Sequence, residues 1–286
     1  MNETRPLYWS VRRELWENRS IYIAPVAVAA VVLFGFAIST IGMPQRRRAV
    51  LLLDPAHQRA AIQVPYDVAA MVLLMTGIII GIFYCLDTLY GERRDRSILF
   101  WKSLPVSDHT AVIAKASIPL VILPAITFIV VIVTQFVMVL MSTAVLAPSG
   151  LGATTWSRVH LLSNSVILFY GLIALALWHA PMYGWLLAVS AWAKRATFLW
   201  AVLPLLAVCI LEKLAFNTQL FANMLGYRFM GHLKRAFVAG KDGHIDSLSQ
   251  LTPGTFLTTP GLWIGLIFAA GFLIAAIRLR RNREPI

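Results

Sequence analysis

Few residues in this chain are equipped for chemistry. Charged residues fill only 13% of its 286 positions, about half the share of an ordinary soluble domain. The two cysteines, Cys85 and Cys209, each stand inside an apolar stretch. That placement excludes a disulfide framework or a thiolate metal site and makes them small hydrophobes. No G-x-x-x-x-G-K-[ST] sequence occurs. The only Gly-Lys pair, Gly240-Lys241, is followed by Asp242 and has Arg235 where the first glycine belongs, so the chain carries no P-loop. There is no H-E-x-x-H, and the six histidines (His57, His109, His160, His179, His232, His244) lack metal-ligand spacing. No G-x-S-x-G elbow is present, and no span sets a Ser and a His at facing positions.

Apolar sequence is what the chain has in abundance. Hydrophobic residues make up 59% of it and the mean hydropathy is +0.73, the composition of an integral membrane protein. The formal charge of +12 is not a nucleic-acid signature, because no basic, aromatic-studded soluble segment accompanies it; Lys and Arg flanking membrane spans account for it. Crossing about 30 Å of hydrocarbon takes about 20 helical residues. Six stretches meet that length: Ile21 to Gly42, Val68 to Leu89, Val112 to Leu146, Leu161 to Trp192, Thr197 to Ala215 and Gly261 to Ile277. The first is too long for a signal-peptide core and lacks a small-residue cleavage site, so it reads as a retained span. The third and fourth exceed one crossing, which predicts tilt, extension beyond the bilayer, or breaks near Pro119 and Pro124 and near Pro181.

Placing both termini inside puts most of the 25 Lys and Arg residues on that side, among them Arg12, Arg13, Arg93, Arg94, Lys194, Arg195, Arg280 and Arg281. It leaves Arg46-Arg47-Arg48 outside, without explanation. Ahead of the first span, residues 5–19 carry Leu7, Tyr8, Trp9, Val11, Leu15 and Trp16 on one half of a helical wheel, with Arg13, Glu14 and Glu17 largely opposite. This pattern predicts an interfacial helix on the cytoplasmic leaflet, in contact with membrane lipids. Residues 216–260 form the longest polar stretch and are expected to make an outer amphipathic helix and a loop containing the turn Lys241-Asp242-Gly243-His244. Ionisable residues within spans are scarce. Asp87 is expected to pair with Arg93 or Arg94 at a helix end, Glu212 and Lys213 to pair or be solvated at the outer surface, and His179 to bond backbone freed by Pro181.

The most informative segment lies between the second and third spans: Tyr90-Gly91-Glu92-Arg93-Arg94-Asp95-Arg96-Ser97-Ile98-Leu99-Phe100-Trp101-Lys102-Ser103-Leu104-Pro105-Val106-Ser107. A charged turn, four apolar residues and a Pro-directed re-entry make a knob that a partner protein could grip. With six spans and an interfacial helix first, this sequence resembles the ABC-2 type permeases, the membrane subunits of ABC exporters. The family pattern is Glu-Arg, a small-residue turn, apolar residues, then Leu-Pro-Val-Ser; where the family often has Gly-Thr, this chain has Arg96-Ser97. The resemblance spans the whole chain in layout and is sharp over residues 90–107. It implies an all-α integral membrane protein with an ABC-2, type V exporter-like fold: one transmembrane domain over residues 1–286 with a cytoplasmic coupling segment at residues 91–107. In such exporters the coupling helix sits in a groove of a separate P-loop ATPase subunit, which binds ATP and magnesium; this chain would need no cofactor of its own. By that analogy Ile98, Leu99, Phe100 and Trp101, with Leu104 and Pro105, would supply buried contact, and Glu92, Arg93, Arg94 and Arg96 would fix register by charge pairing. A second permease subunit, identical or not, would complete the transporter about a two-fold axis in the cell's inner (plasma) membrane, and Gly77 and Gly81, four apart, would permit a close helix crossing.

For the cargo, an apolar lining favours an amphipathic, lipid-like or peptide substrate. Thr134, Gln135, Asn164 and Ser165 are the polar residues within spans that would face a cavity or satisfy a neighbouring helix. Two other readings stay open: a self-sufficient secondary transporter or channel, and a non-transporting membrane anchor or sensor subunit.

Overall fold

The computed structural model describes residues 6–103, 106–238, 245 and 247–282, without the side chains of Ala56 and Lys102. Within them thirteen α-helices follow one another: α1 (Pro6–Glu17), α2 (Ser20–Ser39), α3 (Met43–Val50), α4 (Pro55–Arg94), α5 (Ser97–Ser103), α6 (Asp108–Ser117), α7 (Leu123–Leu146), α8 (Ala153–Trp156), α9 (Leu161–Trp192), α10 (Thr197–Phe216), α11 (Leu220–Ala236), α12 (Pro253–Leu257) and α13 (Pro260–Asn282). The described residues contain no β-strand, only an isolated bridge between Phe237 and Leu251. Six helical stretches are long and apolar enough to cross a membrane: Ser20–Ser39, His57–Arg94, Asp108–Ser149, Leu161–Trp192, Thr197–Phe216 and Pro260–Asn282. This is an all-α architecture compatible with a multi-pass membrane protein. Helices suit that medium because each closes its own backbone hydrogen bonds, and large apolar side chains such as Phe34, Leu214 and Ile267 point outward, more than two-thirds exposed.

The second span is the one whose length the hydropathy pattern underestimates. Its helix α4 runs for 40 residues, about 60 Å at 1.5 Å per residue. It starts at Pro55, a position suited to the first turn of a helix because the absent N–H is not needed there. Its opening turns carry His57, Gln58, Arg59 and Gln63, which the apolar run Val68 to Leu89 leaves out. In the third span Pro119 does perturb the helix: Ile118–Ile122 forms a π-turn between α6 and α7, while Pro124 falls harmlessly in the first turn of α7. The fourth span is not broken, and α9 continues through Pro181 from Leu161 to Trp192.

Helix α9 is the hub of the bundle and packs against α4, α7, α10, α11 and α13. At one end Ile21, Tyr84, Cys85, Val112, Tyr183, Leu187 and Ala276 form the largest core cluster. Near the other end Phe36, Tyr66, Met138 and Val139 form a second. Contacts among α1, the end of α4, the start of α6 and the end of α13 bring the first and last described helices to the same end. The polar stretch after α10 folds back: α11 lies against the middle of α9, where Trp178 packs with Phe237, Phe256 and Leu262. The turn Lys241-Asp242-Gly243-His244 lies outside the described residues.

Gly77 and Gly81 serve crossings inside the chain. A Cβ on Gly77 would stand 2.7 Å from Thr127 Oγ1, and one on Gly81 would stand 3.2 Å from the Tyr183 ring and 3.3 Å from Leu123. Gly35, by contrast, has open space where a Cβ would go. Gly77→Val should therefore destabilise the detergent-solubilised protein by about 1–3 kcal/mol through overpacking, while Gly35→Ala leaves it unchanged or slightly more stable. Thermal melting of the two variants beside the wild type checks this, and equal melting temperatures would contradict the packing described.

Candidate functional site

The segment that resembles a coupling helix rests on a network of buried charge. Helix α1 is amphipathic in an inverted sense: Tyr8, Trp9 and Trp16 are exposed, whereas Ser10 and Glu14 are buried. Arg12 lies over the rings of Trp9 and Trp16, so the aromatic face carries its own cation, and Val11 and Leu15 pack on the core. The inward face brings Glu14, 1% exposed, to Lys115 of α6, also 1% exposed. Lys115 Nζ lies 2.8 Å from Glu14 Oε1 and 3.1 Å from Glu92 Oε1 of α4. Arg13 Nη2 reaches the same two carboxylates at 2.6 and 3.2 Å. On the other side of Glu92, Arg280 Nη2 of α13 pairs with its Oε2 at 3.2 Å, and Arg280 Nη1 pairs with Asp108 at the start of α6. Tyr84 Oη donates to Glu14 Oε2 at 2.8 Å, and Lys115 Nζ donates to Thr88 Oγ1 at 2.9 Å.

Three carboxylates and three cations from four helices thus neutralise one another out of water. Compensation of this kind is required, because an isolated buried charge costs several kcal/mol after relaxation. Burial alone would push the Glu14 carboxyl up; Lys115 and Arg13 outweigh it and hold the group down at about 2.

Glu92 and Arg93, expected to pair with a partner, point into the protein. Glu92 is the hub just described. Arg93, 2% exposed, donates from Nη2 to the carbonyls of Ser190 and Ala193 at the end of α9, and Ser190 Oγ accepts from the Leu89 and Tyr90 amides. The outward charges are Arg94, Asp95 and Arg96. Arg94 pairs with Asp95 at 2.9 Å and loosely with Asp87 at 3.8 Å. Arg96 adopts a left-handed backbone, φ 56°, where glycine would be at home and any side chain costs about 1–2 kcal/mol. This turn joins the end of α4 to α5, which packs against α4.

Within α5 the apolar residues divide. Ile98 is 2% exposed and anchors the helix, while Leu99 and Phe100 are 59% and 60% exposed. Trp101 is half-buried, its ring 4.0 Å from the Arg13 guanidinium and 4.9 Å from the Phe100 ring. Leu104 and Pro105 lie outside the described residues. The free apolar face is therefore Leu99 and Phe100.

Of the polar residues within spans, Thr134 and Gln135 are buried in helix packing. Thr134 Oγ1 donates to Val130 O at 2.7 Å and Gln135 Nε2 to Tyr66 O at 3.2 Å. Ser165 bonds the Leu161 carbonyl of its own helix, and Asn164 is half-buried nearby. His179 binds the Leu175 carbonyl at 3.0 Å, not the Leu177 carbonyl that Pro181 frees, and its ring stands 5.1 Å from that of His232. Glu212 caps α11, accepting from Thr218 Oγ1 and from the Leu220 and Phe221 amides. Sequence reasoning missed the roles of Glu14, Lys115, Asp108 and Arg280. The available signal was a lone lysine four residues before Pro119, at the mouth of an apolar run, which needs an acid from elsewhere.

Comparison of the chain with protein-family models, with curated proteins and with solved structures finds no match.

Breaking the network from one side should be worse than removing a pair. Glu14→Gln and Lys115→Met should each cost about 3–5 kcal/mol, and the double variant clearly less than the two losses added; additive losses in melting experiments would refute the pairing. The pH dependence has a definite sign. Since the Glu14 carboxyl is depressed from 4.5 to about 2, its stabilisation is complete above pH 4.5 and fades as pH falls toward 2. An acid titration in which Glu14→Gln removes that part of the loss would bear this out.

Proposed function

We propose that this chain is the membrane subunit of an ATP-driven exporter of the ABC-2 type. The observation that carries the reading is the seating of α5: a short helix presents Leu99 and Phe100 to solvent while Ile98 is buried and Trp101 stacks on Arg13 of α1, and the end of α4 that leads into it is joined through Glu92 to α1, α6 and α13. A push on α5 would pass into α4 and, through Glu92, on into α1, α6 and α13, which is the mechanical requirement for coupling a separate motor to a membrane bundle. The chain holds no P-loop, so ATP and magnesium bind in a partner subunit whose groove receives Leu99 and Phe100. Aromatic and aliphatic anchors of this kind dominate interface energetics, and Arg94, Asp95 and Arg96 at the rim steer docking and set its register.

In this reading the protein sits in the plasma membrane with both termini and α5 in the cytoplasm, and a second permease subunit completes the path about a two-fold axis. The cargo is amphipathic, lipid-like or a hydrophobic peptide, in keeping with helix faces that carry few charges away from the network.

The test is co-purification. Tagged wild type, extracted in mild detergent, should bring down a P-loop ATPase. Leu99→Asp combined with Phe100→Asp should cut that recovery at least about tenfold, the effect of losing about 1.4 kcal/mol, without altering the melting temperature, because both side chains are exposed. Recovery of no ATPase by the wild type, or equal recovery by the variant, would sink the proposal.

A further inference from the structure

The end of the bundle opposite the ion network has the reverse electrostatic character. There α2 ends at Ser39, the chain turns through Gly42 with φ 73°, and α3 begins. Helix α3 carries Arg46, Arg47 and Arg48 in succession, and among the described residues no ion pair joins any of the three to a carboxylate. Arg46 is exposed and donates to the carbonyls of Ser39 and Ile41 at the end of α2. Arg47 is different: it is 7% exposed, and its Nη1 is buried with no hydrogen-bond partner. An arginine side chain does not lose its proton in a protein, so its charge must be answered by an anion or left at a cost of several kcal/mol.

Arg47 lines a cavity of about 330 Å³, within the range of small-ligand sites. Tyr66 and Ser142 share its polar wall, and their hydroxyls lie 3.0 Å apart. Two hydroxyls joined by one hydrogen bond leave one O–H free to donate, so the wall offers an additional donor beside the guanidinium. Phe36, Val50 and Ile62 supply the apolar part of the lining, the Phe36 ring 6.0 Å from that of Tyr66. Arg46 and Ala61, both exposed, stand at the rim. The site lies at the level where the apolar helix α2 ends, the depth at which a membrane changes from acyl chain to headgroup. A small soluble anion would use only the polar part of this lining; an anion attached to an apolar body uses the apolar part as well.

We propose that this cavity binds an anionic phospholipid, with Arg47 and the Tyr66–Ser142 hydroxyls on the phosphate, Arg46 at the rim, and the Phe36–Ile62 wall against the upper acyl chain. The site also gives Arg46 and Arg47, which no ion pair among the described residues engages, an anion to meet. It does not depend on the exporter reading.

Delipidated full-length protein in mild detergent, titrated with phosphatidylglycerol and followed by native mass spectrometry, tests the proposal. Phosphatidylglycerol should bind the wild type more tightly than phosphatidylcholine does. Arg47→Gln should weaken it about tenfold, the loss of one charge-assisted contact. Ala61→Trp, which narrows the cavity from an exposed position without touching the core, should weaken it comparably. If Arg47→Gln does not yield folded protein, Ala61→Trp decides alone: loss of binding supports the site and unchanged binding overturns it. Equal binding of the two lipids by the wild type would overturn it too, and thermal protection by inorganic phosphate in place of phosphatidylglycerol would reassign the site to a free anion.

Discussion

Charge placed where water cannot reach it has to find its opposite, and that demand organises this molecule. Lys115 enters an apolar helix and Glu14 turns its back on solvent; they stand 2.8 Å apart, with Arg13 and Glu92 beside them to complete the compensation. Glu92 extends the arrangement, since one carboxylate oxygen takes Arg13 and Lys115 while the other takes Arg280. Apolar side chains would fill the same volume at lower desolvation cost, but they would not specify which face of α1 turns inward or how far α13 slides along α6. Complementary charges at fixed positions do both, and the seating of α5 follows from them. If Glu92 and Arg93 faced outward, the segment would be a loose turn; drawn inward, they fasten both ends of the α4 terminus to neighbouring helices.

The two ends of the bundle are built on different terms. At the α5 end every buried ion has a partner from another helix, and the ends of α1, α4, α6 and α13 are cross-braced. At the α3 end a buried guanidinium stands beside a cavity, and the connection after α10 folds back to the middle of α9 instead of closing over the top. There Arg228 lies 4.9 Å from the Trp178 ring centroid and donates to the Gly261 carbonyl at 2.9 Å. Burial and the adjacent His179 hold the His232 imidazole down at about 4, so at ordinary pH it adds no charge to the packing that already holds Arg228. One end behaves as a clamp and the other as a set of walls around spaces.

Much of the layout was legible in the sequence because hydrocarbon imposes a length and a composition. The boundaries of α2, α9, α10 and α13 fall within a few residues of the apolar runs, and the helix α1 announced itself through the spacing of Trp9 and Trp16. Where reading failed, the cause was a partner remote in sequence. Hydropathy registers Val68 to Leu89 but not the polar turns from Pro55 that packing against α2 and α7 keeps helical. Glu92 and Arg93 looked like surface charges because the residues that bury them, Lys115, Arg280 and Ser190, come from helices that no local pattern connects. Asp87 did find Arg94 as expected, the case in which partners are neighbours. Arg96 shows the limit in backbone terms: its left-handed conformation in the turn between α4 and α5 runs against its own preference.

The separation of 188 residues between Glu92 and Arg280 also has a meaning in time. At a synthesis rate of about 5–20 residues per second, the last cation of the network follows the acid it joins by about 10–40 s. During that interval Glu92 has only Arg13 and Lys115, and Asp108 waits without its arginine. Helix α13 is therefore the one that completes the circuit, and a chain halted before it carries an open acidic socket of Glu92 and Asp108.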